Sequence, residues 1–196
     1  MNNKSTKITI IISLLVLSIF IKSCAVSAIP KGKLNFDKSS EKGLLVGSVT
    51  FTSYSKFDGY FFRLTNNSSD EFQVNRNLIG QLDRGTTHMF IIERPEGKNE
   101  LCSVRLFHNS GFIAAQYDLR IGGFSIPYEI KKGEITYVGN IIFDEDAKKG
   151  TNPITYKNNF ERDLIEFKKL QPEIDWTNVK NDENKKIEYN NRKARL

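Results

Sequence analysis

From residue 43 onward, apolar and polar side chains alternate with a period of two. Leu45, Gly47, Val49 and Phe51 interleave with Val46, Ser48, Thr50 and Thr52, the pattern of a strand with one face on a core. Tyr60, Phe62 and Leu64 follow, then Phe72 and Val74, then His88, Phe90 and Ile92. Turn-forming clusters at 65–70, 83–85 and 95–99 separate these runs. Residues 101–107, 114–121, 124–130 and 135–143 read as further strands, with Lys131, Lys132, Gly133 and Glu134 as a tight hairpin between the last two. About eight short strands with no helical stretch between them predict a mainly β domain over 43–146. The expected architecture is an antiparallel β-sandwich, Ig-like or transthyretin-like, at the usual size of roughly 100 residues.

After Gly150 the period changes. Phe160, Leu164, Phe167 and Leu170 share one helical face, Asn158 with Glu161 resembles a capping box, and Pro172 marks the stop. The spacing predicts one C-terminal amphipathic helix within 147–179, packing on the sandwich. Such a face could also dock a partner, but joining the core is its commoner role. Residues 180–196 are Asn- and Lys-rich with little apolar content, the composition of a charged flexible tail. Residues 24–42, rich in Lys and Ser with Gly32 and Pro30, read as a tether without packed structure.

The beginning of the chain has a different pattern. Lys4 and Lys7 precede an apolar run from Ile8 to Ile21, broken by Ser13 and Ser18 and followed by Lys22, Ser23 and Cys24. That run is shorter than the roughly 20 residues a spanning helix needs, and it fits the core of an export signal over residues 1–23. Ile21, Lys22, Ser23 and Cys24 resemble the bacterial lipobox, with an aliphatic residue three before the cysteine and a small one just before it. Lys22 departs from that pattern. The resemblance implies cleavage before Cys24 and acylation of its thiol, so that the lipid bilayer becomes a partner. Ordinary signal cleavage after Ala28, with Val26 and Ala28 as the small residues, is the competing outcome, and an uncleaved short anchor is a third. Ala25 in place of aspartate after the cysteine resembles the sorting pattern for the outer membrane, facing the periplasm or the cell surface.

Charge narrows the partners. Removing residues 1–23 takes away three lysines and no acids, so the formal net charge falls from +6 to +3. The last twenty residues carry that remaining +3, with six basic and three acidic side chains, so the body from Cys24 to Trp176 is formally neutral. A neutral body lacks the basic face that phosphate-backbone binding requires, which sets nucleic acid aside.

Two cysteines cannot build a disulfide framework. With Cys24 acylated, Cys102 is left as a small hydrophobe between Leu101 and Val104. No nucleophile elbow, zinc-binding helix motif, Cys-x-x-Cys pair or phosphate-cradling loop is present in the sequence. His88 and His108 are isolated, and a site would need them to converge with a carboxylate such as Asp118 or Glu93. Asp144, Glu145 and Asp146 lack the spacing of a calcium loop and read as a solvated turn. Neither a metal nor a cofactor is expected. Tyr54, Phe57 and Tyr60, around Asp58 and Gly59, are candidate ligand-binding residues for a carbohydrate or peptidoglycan platform, although aromatic side chains also build sandwich cores.

The opening strand at 43–48, the segments 124–128 and 133–139, Arg162 with Asp163, and Pro172, Ile174 and Trp176 resemble an uncharacterised family of bacterial lipoproteins. These carry a single sandwich domain of the transthyretin-like or carboxypeptidase-regulatory kind after a lipobox, and the similarity covers residues 43–179. It implies the fold and the address, and no catalytic residue comes with it. The expected function is a non-enzymatic binding or structural role in the envelope, directed at another envelope protein or a cell-wall polymer. A His-dependent envelope enzyme is the less favoured alternative.

Overall fold

The computed structural model describes residues 25–30, 32–53, 57, 59–65, 70–75, 85–109, 116–148, 150–183 and 185–189. Residues 1–23, Cys24, Tyr54 and the tail after Tyr189 lie outside the described residues. The chain runs through β1 (Ala25–Ser27), β2 (Gly43–Phe51), β3 (Gly59–Arg63), β4 (Glu71–Asn75), β5 (Thr87–Arg94), β6 (Gly97–Leu101), β7 (Ser103–Asn109), β8 (Gln116–Ile121), β9 (Phe124–Ile130), β10 (Ile135–Phe143) and β11 (Ile154–Lys157). Helix α1 (Phe160–Leu170), a single 3-10 turn (Trp176–Asn178), β12 (Val179–Asn181) and β13 (Glu188–Tyr189) follow. The fold is mainly β, with three sheets ordered β1-β4-β3-β7-β8, β11-β10-β2-β5 and β13-β9-β6, and one α-helix among the described residues.

Most neighbouring strands are antiparallel, as expected, but the central pair of the four-stranded sheet is not. β2 and β10 run parallel, as do β10 with β12 and β1 with β4, which corrects the purely antiparallel expectation. Period-two alternation assigns faces without assigning direction, so it could not distinguish the two. The connection from β2 to its parallel partner β10 passes through β3 to β9. The register of that pair slips between Tyr137 and Asn140, where β10 advances three residues against two in β2, a bulge. Gly139 makes it possible. Its φ is +103, and a Cβ there would lie 2.1 Å from the ring of Tyr156.

Two apolar clusters use the two faces of the four-stranded sheet. Leu45, Val49, Phe51, Phe90, Ile92, Val138, Ile141 and Phe143 join the inner faces of the other sheets in the main core. Leu44, Val46, Met89, Ile91, Ile135 and Tyr137 form a second cluster with Phe167 of α1, Ile174, Trp176 and Phe36. β2 and β10 are therefore buried on both sides, beyond the half-buried strands expected from alternation. Phe167 stacks on Trp176 at 5.3 Å with a 12° interplanar angle, and the indole Nε1 donates to Gln171 O at 2.9 Å.

The helix forms where the spacing predicts it and turns the predicted Phe160, Leu164 and Phe167 to the second cluster, with a different cap and with Leu170 left outside. Asn159 is the N-cap residue, and Asn158 Oδ1 accepts from Phe160 N at 3.1 Å, so no capping box closes with Glu161. Phe167 is buried, whereas Leu170 is 38% exposed. The deepest polar residue on the helix is Asp163, fully buried on the face read as apolar.

Four boundary expectations are corrected. The loose tether expected over 24–42 is corrected for its described residues, 25–30 and 32–42. From Ala25 the chain pairs with β4, Ala28 O accepts from Ile91 N at 2.8 Å, Gln171 holds both Gly32 O and Leu34 N, and Phe36 enters the second core. The sequence 131–134 is not a hairpin between paired strands, because β9 belongs to the three-stranded sheet and β10 to the four-stranded one. Gly133 turns the chain between them at φ +64, with Lys38 O where a Cβ would stand. Residues 101–107 are not one strand, because the chain changes sheets at Cys102. The tail is packed as far as Tyr189: β12 covers the start of β10, β13 pairs with β9, Ile187 reaches the main core, and the Tyr189 hydroxyl donates to Ile154 O at 3.0 Å.

Ending the chain after Asn178 removes β12, β13 and Ile187. We expect a loss of about 2–4 kcal/mol from the lost burial and hydrogen bonds, measured as a lower urea midpoint. An unchanged midpoint would restore the flexible tail inferred from composition.

Candidate functional site

Tyr60 sits inside the main core with no solvent exposure. Its ring packs edge-on against Phe51 at 4.7 Å and lies 5.6 Å from Phe143 and 6.4 Å from Phe57. A ring enclosed on all sides cannot stack on a sugar, so the proposed platform is corrected at Tyr60. Phe57 is half-buried against the same core, and Tyr54 lies outside the described residues. The Tyr60 hydroxyl donates to Glu145, and Glu145 N donates to Ser53 Oγ at 2.8 Å. Glu145 is thus a buried acceptor for a buried phenol, whereas the sequence suggested a member of a solvated turn. Among the described residues no group of three or more His, Cys, Asp or Glu gathers around a metal-sized space.

The histidines stand on different sheets, His88 on β5 opposite Val49 and His108 on β7 opposite Tyr117. Asp118 pairs with Phe107, one step out of register with His108. Glu93, an odd number of residues from His88 along the strand, falls on the other face of β5 and is exposed. The ring of His88 meets Phe51 edge-on at 5.7 Å, its Nε2 is buried without a hydrogen-bond partner, and burial pulls its pKa below 6.5. Cys102 is half-buried, and desolvation first, then the nearby Glu100, pushes its thiol up and away from the reactive thiolate.

A buried polar cluster that alternation did not indicate joins α1 to the sheet. Asp163 Oδ2 accepts from Ser48 Oγ at 2.6 Å and from the Tyr137 hydroxyl at 2.7 Å, and Oδ1 accepts from Arg162 Nε at 2.8 Å. Asn140 Nδ2 donates to Ser48 Oγ at 2.8 Å and Thr50 Oγ1 at 2.9 Å, and Asn140 Oδ1 accepts from Asn159 Nδ2 at 3.1 Å. Arg162 Nη2 adds a second donor to Ser48 Oγ at 3.1 Å. Ser48 therefore donates once and accepts twice, which uses its whole capacity. It is a filled hydrogen-bonding centre and not an available nucleophile. Burial first, then Asp163, raises the pKa of the Tyr137 phenol and keeps it a donor. The cluster fixes the helix on β2 and β10.

The open chemistry lies at the other end of β10. Where β9 and β10 part after the turn at 131–134, a cleft of about 630 Å³ opens between them. Thr136 Oγ1 donates to Glu129 O at 2.9 Å across its floor. Lys98 of β6 with Glu129 and Lys131 of the β9 side form one wall, and Lys185, Lys186 and Glu188 of the returning tail form another. Lys180 is engaged with Glu134 at 2.6 Å. No carboxylate among the described residues lies within ion-pair distance of Lys98, Lys131, Lys185 or Lys186. Burial pulls the Lys185 ammonium down against the opposing pull of Asp182. The sequence reading missed this cleft because its roof lies in the segment taken as flexible. The apolar residues Ile187 and Tyr189 were the available signal that this segment packs.

No family model, curated protein or solved structure matches the chain.

Two measurements check the energetics. Asp163→Ala strands Arg162, Tyr137 and Ser48 around a lost acceptor and is expected to cost about 3–5 kcal/mol, against about 1.5–3 kcal/mol for Tyr137→Phe; equal small losses in chemical denaturation would show that the cluster does not hold the helix. His88 gives a pH dependence. Its folded pKa lies below the ordinary 6.5, so the unfolded state binds the proton first as pH falls, and stability drops below 6.5 and is flat above. Between about pH 7.5 and about pH 5.5, His88→Phe should flatten the dependence of the urea midpoint on pH, and an unchanged slope would assign it to other groups.

Proposed function

We propose that this chain is a lipid-anchored bacterial envelope protein whose β domain serves a binding role, with residues 1–23 as export signal and Cys24 as the acylated residue. The observation that carries the proposal is the order Lys4 and Lys7, then the apolar stretch to Ile21, then Ser23 and Cys24. The fold supports cleavage there over cleavage after Ala28. Cutting after Ala28 would remove β1 from β4 and delete the carbonyl that caps Ile91 on the outer edge of β5. Cutting before Cys24 leaves all of that intact.

The domain is of the sandwich kind, related in type to transthyretin-like and carboxypeptidase-regulatory domains. Supporting this is the main core, which receives one apolar face from each of the three sheets. With β1 paired to β4 and Ala28, Gly32, Leu34 and Phe36 held on the body, little free chain separates Cys24 from the domain. The anchored protein would then rest close to the bilayer, with Ala25 after the cysteine directing it to the outer membrane. Its partner is another envelope component, met through an exposed surface and not through a buried catalytic centre.

The test is the intact mass of the mature protein recovered from its native membrane fraction. A chain starting at Cys24 with added acyl mass is the expected result, and Cys24→Ser should move the protein out of that fraction. A chain starting at Ile29 with no added mass would overturn the proposal.

A further inference from the structure

The cleft between β9 and β10 has the volume of a small-ligand site, which typically spans about 300–1,000 Å³. Its charges are unusually uncommitted. Lys98 stands directly opposite Glu129 in the β6–β9 register, a cross-strand position where opposite charges ordinarily pair, yet no ion pair closes there. Glu188, opposite Ser125 on the other side of β9, is unpaired as well. Beside the Lys180–Glu134 pair, four lysines and three carboxylates, Glu129, Asp182 and Glu188, line the cleft, a mixture that suits neither a simple anion, which the carboxylates repel, nor a simple cation, which the lysines repel. They suit a ligand that carries both charges a few ångströms apart. Ammonium groups of lysine serve as point-charge partners for phosphate oxygens, and carboxylates accept from a primary ammonium.

The geometry points to a site for a zwitterionic phosphate ester of the phosphoethanolamine type, with Lys98, Lys131, Lys185 and Lys186 around the phosphate and Glu129 and Glu188 receiving the ammonium. The half-buried setting of Lys185 fits this occupant, because a phosphate beside it would restore the charge that desolvation disfavours. The assignment names a ligand class for the binding role proposed above and rests on that role. Its test needs no acyl group, so failure here leaves the anchor proposal standing, and failure of the anchor leaves this one.

The experiment is a calorimetric titration of the full chain in a neutral detergent with phosphoethanolamine, inorganic phosphate and ethanolamine in turn. Saturable binding of phosphoethanolamine, tighter than either fragment by about tenfold or more, is expected. Lys185→Gln should weaken it by about tenfold. Lys131→Gln, at an exposed position outside the tail, should do likewise and guards against a Lys185 variant whose tail merely detaches. Glu129→Gln should abolish the preference over inorganic phosphate. No saturable uptake, equal affinity for phosphate and phosphoethanolamine, or lysine variants that bind as well as the parent would overturn the assignment. Phosphatidylethanolamine added to the same micelles separates the sources: competition identifies a lipid headgroup, and retained binding without competition identifies a soluble or polymer-borne ester.

Discussion

The structure depends on the parallel pairing of β2 with β10, two strands of nine residues that are buried on both faces. A strand of that kind has no solvent side to dispose of, so it needs a layer on each side. The remaining sheets supply one, through Phe62, Phe72, Val104 and Ile126, and α1 with the segments around Phe36 and Trp176 supplies the other. Neither layer can be removed without exposing a row of Leu, Val and Ile side chains. For this reason the amino-terminal segment and the carboxy-terminal tail both return to the body.

Apolar burial alone would let α1 slide on the sheet, since Phe167 is its one fully enclosed apolar side chain. The Asp163 cluster removes that freedom. A buried carboxylate costs several kcal/mol to desolvate unless every lone pair finds a donor. Here Ser48, Tyr137 and Arg162 meet it from β2, β10 and the helix itself. Arg162 keeps its outer part in solvent with its side chain 45% exposed, so the ion pair is only half removed from water. The cluster thus trades a modest net energy for a single helix position.

Much of this was legible in the alternation, and the losses share a cause. Period two located β2, β5, β9 and β10 and their inward residues, because side-chain facing follows from the pleat. It said nothing of strand direction, and it could not see that a second layer covers Leu44, Val46, Ile91 and Tyr137, since that layer comes from Phe36, Phe167, Ile174 and Trp176, residues on other segments of the chain. The helix was legible from Phe160, Leu164 and Phe167, whereas Asp163 on the inner face was not, because no local pattern announces a polar residue whose donors are distant in sequence. Low apolar content misled at both ends. Leu34 and Phe36 in one segment, and Ile187 and Tyr189 in the other, are few but well placed, and a strand that pairs through its backbone needs little side-chain burial of its own.

The return of the tail also decides where the molecule is open. β12 and β11 share one edge of β10, Ala28 caps β5, and the edge strand β6 carries Lys98 and Glu100, so these three edges are covered or charged. A gap also opens where β9 and β10 join different sheets, and the tail must cross it to pass from β12 to β13. A crossing segment with few apolar residues cannot fill such a gap with side chains. It lines the gap with lysines and carboxylates, and the connectivity that brings the tail back to the body leaves a polar concavity there.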